Sequence, residues 1–326
     1  MMREPAPYER KVAAFYYAAT ALATVIWHVT MLVQPGWRVH FVGDRFGTDL
    51  YWLFVAPDLI GALLLPIWIA ITIRKLRANV SWASWLLAGG QSYAFLVSCA
   101  LAIKDSSAYW GMLGMMFSSA TAIMFALRFS GINILWGPFA FRPAPTLQAP
   151  KQYCIEALIQ TCGMWFVFLL AIPTGIAALE KELSFTSHWW SSPMRLAIGS
   201  IGFIFGATLG FFAGRAMATQ GEGTPLPSKC TNKLVIFGPY RYVRNPMAVG
   251  GILQGVCVGV AVGSPLIVLY ALLGAIAWNT LVRPLEEEYL ESCFGDVYRD
   301  YIRQVSCWIP RLSPISPLSN DGDLSR

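Results

Sequence analysis

The chain of 326 residues is 56% apolar and only 13% charged, with a mean hydropathy of +0.52. A soluble domain carries about 25% charged and about 45–50% apolar residues, so soluble domains of this total length and disordered chains are both excluded. Seven cysteines lie mostly within apolar segments and none forms a CxxC pair, which excludes a small disulfide scaffold; they read as small hydrophobes. The composition specifies a multi-pass integral membrane protein, all-α by the physics of spanning lipid.

A span needs about 20 predominantly apolar residues. Taken in chain order, eight segments approach this: 12–33, 50–73, 82–103, 109–127, 153–179, 196–214, 247–262 and 265–282. The first is too long for a signal-peptide core and reads as a retained span. The last two are short, separated by Gly263-Ser264, and predict a tight helical hairpin. With about eight spans and both termini cytoplasmic, nineteen of the 24 Lys and Arg fall on the cytoplasmic side. The net charge of +6 is then a positive-inside effect and calls for no nucleic-acid partner. The inner or plasma membrane and the endoplasmic reticulum are both compatible with it.

Within the first four spans, Asp58 and Gln91 are polar residues at membrane depth; Asp58 follows Pro57 near a possible helix break and suits a backbone-satisfying role. His28, His40 and His188 fall in three separate segments without ligand spacing, so no metal site is expected. Residues 1–127 therefore form a four-span unit of open role. A cytoplasmic linker follows over 128–152, carrying Pro138, Pro143, Pro145 and Pro150. A second membrane unit covers 153–310, and a Ser-, Pro- and Asp-rich tail over 311–326 is expected to be disordered.

In the second unit, Gly202, Gly206, Gly210 and Gly214 recur at every fourth position, as do Gly251, Gly255, Gly259 and Gly263. Such stripes let helix backbones approach closely in lipid, and the sixth and seventh spans are expected to touch along them, Gly255 included. The stretch between these spans ends in GPYRYVRNPM. Asn245 is a good N-cap and Pro246 is preset for the first helical position. The positive end of that helix lies beside Arg241 and Arg244 and suits an anionic ligand group or a lipid headgroup. The last helix continues into RPLEEEYLESCFGDVYRDY. Leu285, Tyr289, Leu290, Cys293 and Phe294 share one arc, with Glu286 in its middle and Glu287 at its edge, while Glu288 and Glu291 face the other way. A carboxylate on an apolar face needs a cation. Gly295 ends this helix and Asp296 can cap the next, giving short amphipathic C-terminal helices on the cytoplasmic side.

GxGTPxP (Gly221–Pro227), GPYRYVRNPM, a hairpin, then EExxLxxxFGxxYxxY (Glu286–Tyr301) and Pro310 together resemble the isoprenylcysteine carboxyl methyltransferase and phospholipid methyltransferase superfamily over residues 153–310. Ala248 stands where that family usually has Tyr. The resemblance implies an S-adenosylmethionine-dependent methyltransferase whose lipophilic or lipid-modified acceptor arrives from the bilayer. It implies Arg244 and Glu286 as catalytic residues. Tyr240, Arg241, Arg244, Asn245, Pro246, Glu286, Glu287, Tyr298 and Tyr301 are then the cofactor-binding set. The donor's carboxylate suits Arg241 or Arg244, its ammonium Glu286 or Glu287, and its adenine the tyrosines. The alternatives are an NADPH-dependent enzyme of the sterol-reductase type, against which the Glu-Glu and Phe294-Gly295 elements count, and a non-enzymatic scaffold or lipid binder.

Overall fold

The computed structural model describes residues 7–43, 55, 57–76, 80–130, 140–145, 149–182 and 192–315. It divides the chain into two compact units, Met1–Asn133 with Glu180–Thr186, and Ile134–Leu179 with Ser187–Arg326. The described residues are helical apart from turns and one isolated bridge, Pro143 to Cys230. The first unit holds α1 (Pro7–Val33), α2 (Leu59–Arg74), α3 (Ser81–Lys104) and α4 (Tyr109–Phe129). The second is built on α5 (Pro150–Lys181), α6 (Ser192–Gln220), α7 (Pro246–Val262) and α8 (Pro265–Gln304). The protein is thus a multi-pass helical membrane bundle.

Six of these helices are long and apolar enough to cross a membrane, while α2 and α7 are apolar but shorter. Among the described residues, the eight expected spans thus correspond to six long helices and two shorter apolar ones. The expected second span, 50–73, begins in residues outside the described set. Helix α8, at 40 residues, would measure about 60 Å, twice the hydrocarbon thickness. Its charged part from Arg283 onward therefore emerges from the bilayer. As expected, the last span continues past Val282, and Gly295, with φ +51° and ψ −125°, separates that stretch from the short helix after it.

Besides a π turn over Thr72–Leu76, which precedes no proline, the helices widen into three more π turns, over Leu59–Leu64, Phe166–Ala171 and Trp278–Val282. Each of these three contains the residue four positions before a proline: Ala62 before Pro66, Leu169 before Pro173 and Thr280 before Pro284. Proline has no N–H and its ring presses on that carbonyl, so the turn opens. In lipid the released carbonyl needs a donor, and the Thr24 hydroxyl supplies one to Ala62 O at 2.9 Å.

The first unit is held by side-chain hydrogen bonds between helices as well as by packing. Tyr17 donates to Ser84 at 2.9 Å, Tyr16 pairs with Thr121 at 3.0 Å, and Ser118 donates to Gln91 at 2.9 Å. Gln91 is thus a helix–helix contact residue. Asp58 faces His28 across α1 and α2, with Nε2 and Oδ2 3.6 Å apart, a juxtaposition that sequence spacing did not reveal.

In the second unit α6 lies against α7, and α7 turns back into α8. Gly263 adopts the left-handed conformation (φ +81°) that closes α7, the Ser264 hydroxyl accepts from Ile267 N at 3.0 Å, and Pro265 starts α8. The hairpin follows from three consecutive residues. The α6–α7 contact runs through Gly206 and Gly250: a Cβ on Gly206 would stand 2.8 Å from Gly250 O. Gly255 does not belong to it, contrary to expectation, because its nearest neighbour is Ala271 Cβ on α8. The α7 stripe is not straight on the helix surface, so its members face two neighbours.

Residues 311–315 also depart from expectation. They do not start a disordered tail: Ile315 is buried in a cluster with Leu234, Phe294, Tyr298, Tyr301 and Val305. The remainder of that tail, 316–326, lies outside the described residues. Part of the expected linker is pinned as well, since Arg142 N donates to Pro227 O and Cys230 N to Arg142 O, both at 2.8 Å.

Candidate functional site

The loop before α7, the emergent part of α8 and the segment 305–315 meet at one place. Asn245 holds two of them together. Its Oδ1 accepts from Ala248 N at 3.1 Å, capping α7, while its Nδ2 donates to Glu286 Oε2 at 3.2 Å. One residue earlier, Arg244 Nη1 donates to Glu287 Oε1 at 2.8 Å. The acidic pair on α8 and the Arg244-Asn245 pair at the start of α7, 41 and 43 residues away in sequence, are therefore in direct contact.

The segment 305–315 straps this loop from beneath. Arg244 N donates to Ser306 O at 2.9 Å, Arg311 N to Tyr242 O at 2.9 Å, and Ile315 N to Arg241 O at 3.2 Å. Arg241 Nε and Nη2 close the strap by donating to Ile315 O at 2.9 and 2.6 Å. Of the two arginines offered by the sequence for an anionic group, Arg241 is engaged in the fold and Arg244 faces the carboxylates.

The tyrosines are placed similarly. Tyr301 donates to Tyr240 O at 2.7 Å, and Tyr240, Tyr298 and Tyr301 are all buried. Tyr298 and Tyr301 pack with Leu234 and Phe294. Tyr298 nevertheless lies near enough to Glu287, Glu286 and Arg244 for its phenol to respond to their charges. Pro246, buried at the first turn of α7, fixes the chain direction after the cap.

Two features of the cluster are unsatisfied. Arg244 Nε is buried without a hydrogen-bond partner, a costly state for a guanidinium donor. Glu286 retains some solvent contact but sits deep among its neighbours, and its hydrogen bond here comes from a neutral amide. Burial, with Glu287 alongside, pushes its carboxyl up to about 7 against the opposing pull of Arg283 and Arg244. An unpaired N–H donor and a poorly compensated carboxylate, side by side, suit a ligand carrying an anion and a cation on one carbon.

Three residues of this cluster escaped the sequence reading. Arg283 Nε donates to Glu287 Oε1 at 2.8 Å and its Nη1 to Asn279 Oδ1 at 3.0 Å, which also accepts from Trp308 Nε1 at 2.8 Å. Arg283 was legible in principle, one helical turn before Glu287, as was Asn279, a polar residue one turn earlier in an apolar run. Nothing local marks Trp308.

Residues 194–297 match the family model described as phospholipid methyltransferase. The likeness to the phospholipid methyltransferase family thus lies in the C-terminal half of the chain. Over 169 residues the chain is 27% identical to protein-S-isoprenylcysteine O-methyltransferase B of Arabidopsis thaliana, an alignment covering 51% of this chain and 83% of that protein. No solved structure matches the chain at a significant level. The matched span holds α6, α7 and the Arg244–Glu287 and Asn245–Glu286 contacts. Both likenesses support a membrane methyltransferase as the reaction class.

Proposed function

We propose that the protein transfers a methyl group from S-adenosylmethionine to a lipophilic acceptor that approaches from the bilayer. The observation carrying this reading is the unsatisfied pair inside the matched unit: the buried, unpartnered Nε–H of Arg244 beside the carboxylate of Glu286. Arg244 would hold the donor's carboxylate and Glu286 its ammonium, with Asn245 keeping Glu286 aimed. Tyr298 and Tyr240 wall the same place. S-adenosylmethionine, when bound, supplies an electrophilic methyl on a sulfonium, displaced in line. The residues' task is to align and desolvate the partners, a contribution of about 7–11 kcal/mol when geometry is well held. The Lys and Arg distribution supports a cytoplasmic site with both termini on that side.

A groove of about 710 Å³ gives the acceptor an approach. Phe205, Leu209, Phe212, Ala216 and Phe237 line it, with Arg215 among them, and Gly238–Pro239 form one wall. The next residue, Tyr240, is buried within electrostatic reach of Glu286, so one short turn separates the groove from the charged cluster. Filling the groove with Thr208→Trp is expected to lower methyl transfer to a lipophilic acceptor at least about tenfold while leaving cofactor affinity, measured by calorimetry, unchanged. Equal loss of both would assign the groove to packing instead.

The decisive experiment is labelling with deuterated S-adenosylmethionine. Membranes with and without the protein are compared by mass spectrometry for lipids and small molecules that gain the label. A protein-dependent labelled lipophile is expected; label confined to water-soluble products would overturn the acceptor assignment.

A further inference from the structure

Glu287 accepts from two guanidiniums on the same oxygen, Arg244 Nη1 and Arg283 Nε, each at 2.8 Å. Arg283 is itself held by Asn279, and Asn279 by the indole of Trp308. With a side chain only 11% exposed, Arg283 is a fixed strut between the π turn of α8, the acidic pair and the C-terminal strap. We propose that Arg283 is the positioning residue of this site: it fixes Glu287 as the anchor for Arg244, so that Arg244 Nε–H stays open to a carboxylate and Glu286 stays available to an ammonium group. This rests on the cofactor reading above and adds the residue that divides the two acidic side chains into different roles.

The charges make the division necessary. Arg244 and Arg283 balance Glu286 and Glu287, and a bound amino-acid end brings one charge of each sign, preserving the balance. Without Arg283 the cluster carries one uncompensated negative charge. Glu286 would then retain its proton to higher pH, and a neutral acid gives an ammonium group far less. The groups facing Glu286 are Glu287 and Arg283 on its own helix, Arg244 and Asn245 before α7, Tyr240 in the loop, Tyr298 beyond Gly295 and Cys307 in the strap. Burial drives both phenols upward and takes Cys307 to about 11. None of these three titrates near neutrality, so an acid limb in ligand binding there reports the carboxylates.

The test uses the full chain in detergent and S-adenosylhomocysteine, which carries the same amino-acid end without the methyl. Its dissociation constant is measured by calorimetry over about two pH units either side of neutrality, for the unaltered protein, Arg283→Gln and Arg283→Lys. For the unaltered protein, affinity should fall by up to about tenfold per pH unit once pH drops below that of Glu286. Arg283→Gln should move this limb to higher pH and weaken binding about tenfold at neutrality. Arg283→Lys, which keeps the charge without the planar fork, should restore the limb's position. Should Arg283→Gln leave the limb in place, whether affinity is unchanged or lowered equally at every pH, Arg283 is only a scaffold residue and the inference falls. Absence of binding by the unaltered protein would overturn the cofactor reading itself, and this inference with it.

Discussion

Glu286→Gln is expected to weaken S-adenosylmethionine binding by about 10- to 150-fold at a pH above 8, the range corresponding to a lost charge-assisted hydrogen bond of about 1.5–3 kcal/mol. Glutamine keeps the shape and can still accept from Asn245 Nδ2, which lies 3.2 Å from Glu286 Oε2, so folding should survive. Arg244→Ala is expected to have at least as large an effect, because it removes the open Nε–H. The carboxylate left behind keeps a partner, since Arg283 also holds Glu287 at 2.8 Å, and the strap bond to Ser306 uses the backbone N–H of residue 244. Both variants should therefore unfold near the temperature of the unaltered protein. Arg241→Ala should behave oppositely: its guanidinium ties down Ile315 O, so its loss should lower thermal stability first. Calorimetric titration beside thermal unfolding separates these outcomes. Unchanged affinity in both Glu286→Gln and Arg244→Ala would remove the site assignment.

The legible part of this molecule is the part governed by lipid. Apolar run length located the helices, because a backbone in hydrocarbon has no other way to satisfy its polar groups. At the site, the amide cap at Asn245 and the acidic residue misplaced on an apolar arc were both visible, and they meet in space. The strap was not. The tail over 311–326, rich in Ser, Pro and Asp, suggests disorder by composition, yet Ile315 finds a buried place beside Leu234 and Tyr301, and backbone N–H groups of Arg311 and Ile315 donate to Tyr242 O and Arg241 O. Such bonds leave no trace in side-chain identity. The direction of Arg241 was hidden for the same reason, its acceptor being a backbone carbonyl of the strap. Tyr298 and Tyr301, at helical spacing, were read as ligand walls; in the fold they are first of all core residues, and only Tyr298 also reaches the acidic pair.

The glycine stripes yield the second large effect, since the same sequence motif has opposite consequences at neighbouring positions. On α6, a Cβ at Gly206 would lie 2.8 Å from Gly250 O and 2.9 Å from Gln254 Cγ, whereas a Cβ at Gly210 would meet nothing within 4 Å. The first neighbour is backbone and cannot rotate away. Gly206→Leu must push α7 off α6, forfeiting contact that in lipid rests on close packing rather than on exclusion of water, with a cost of about 1–3 kcal/mol or more for forced overpacking. Gly210→Ala should be silent in the same thermal assay. The damage should also reach the site. Asn245 is the cap of α7 and the amide that aims Glu286, so a displaced α7 carries Asn245 away from α8. Milder Gly206→Ala, if it folds, is thus expected to weaken S-adenosylmethionine binding although it touches no charged residue. Equal stability of the Gly206→Leu and Gly210→Ala proteins would refute the α6–α7 contact, and with it the frame that brings Arg244 and Glu286 together.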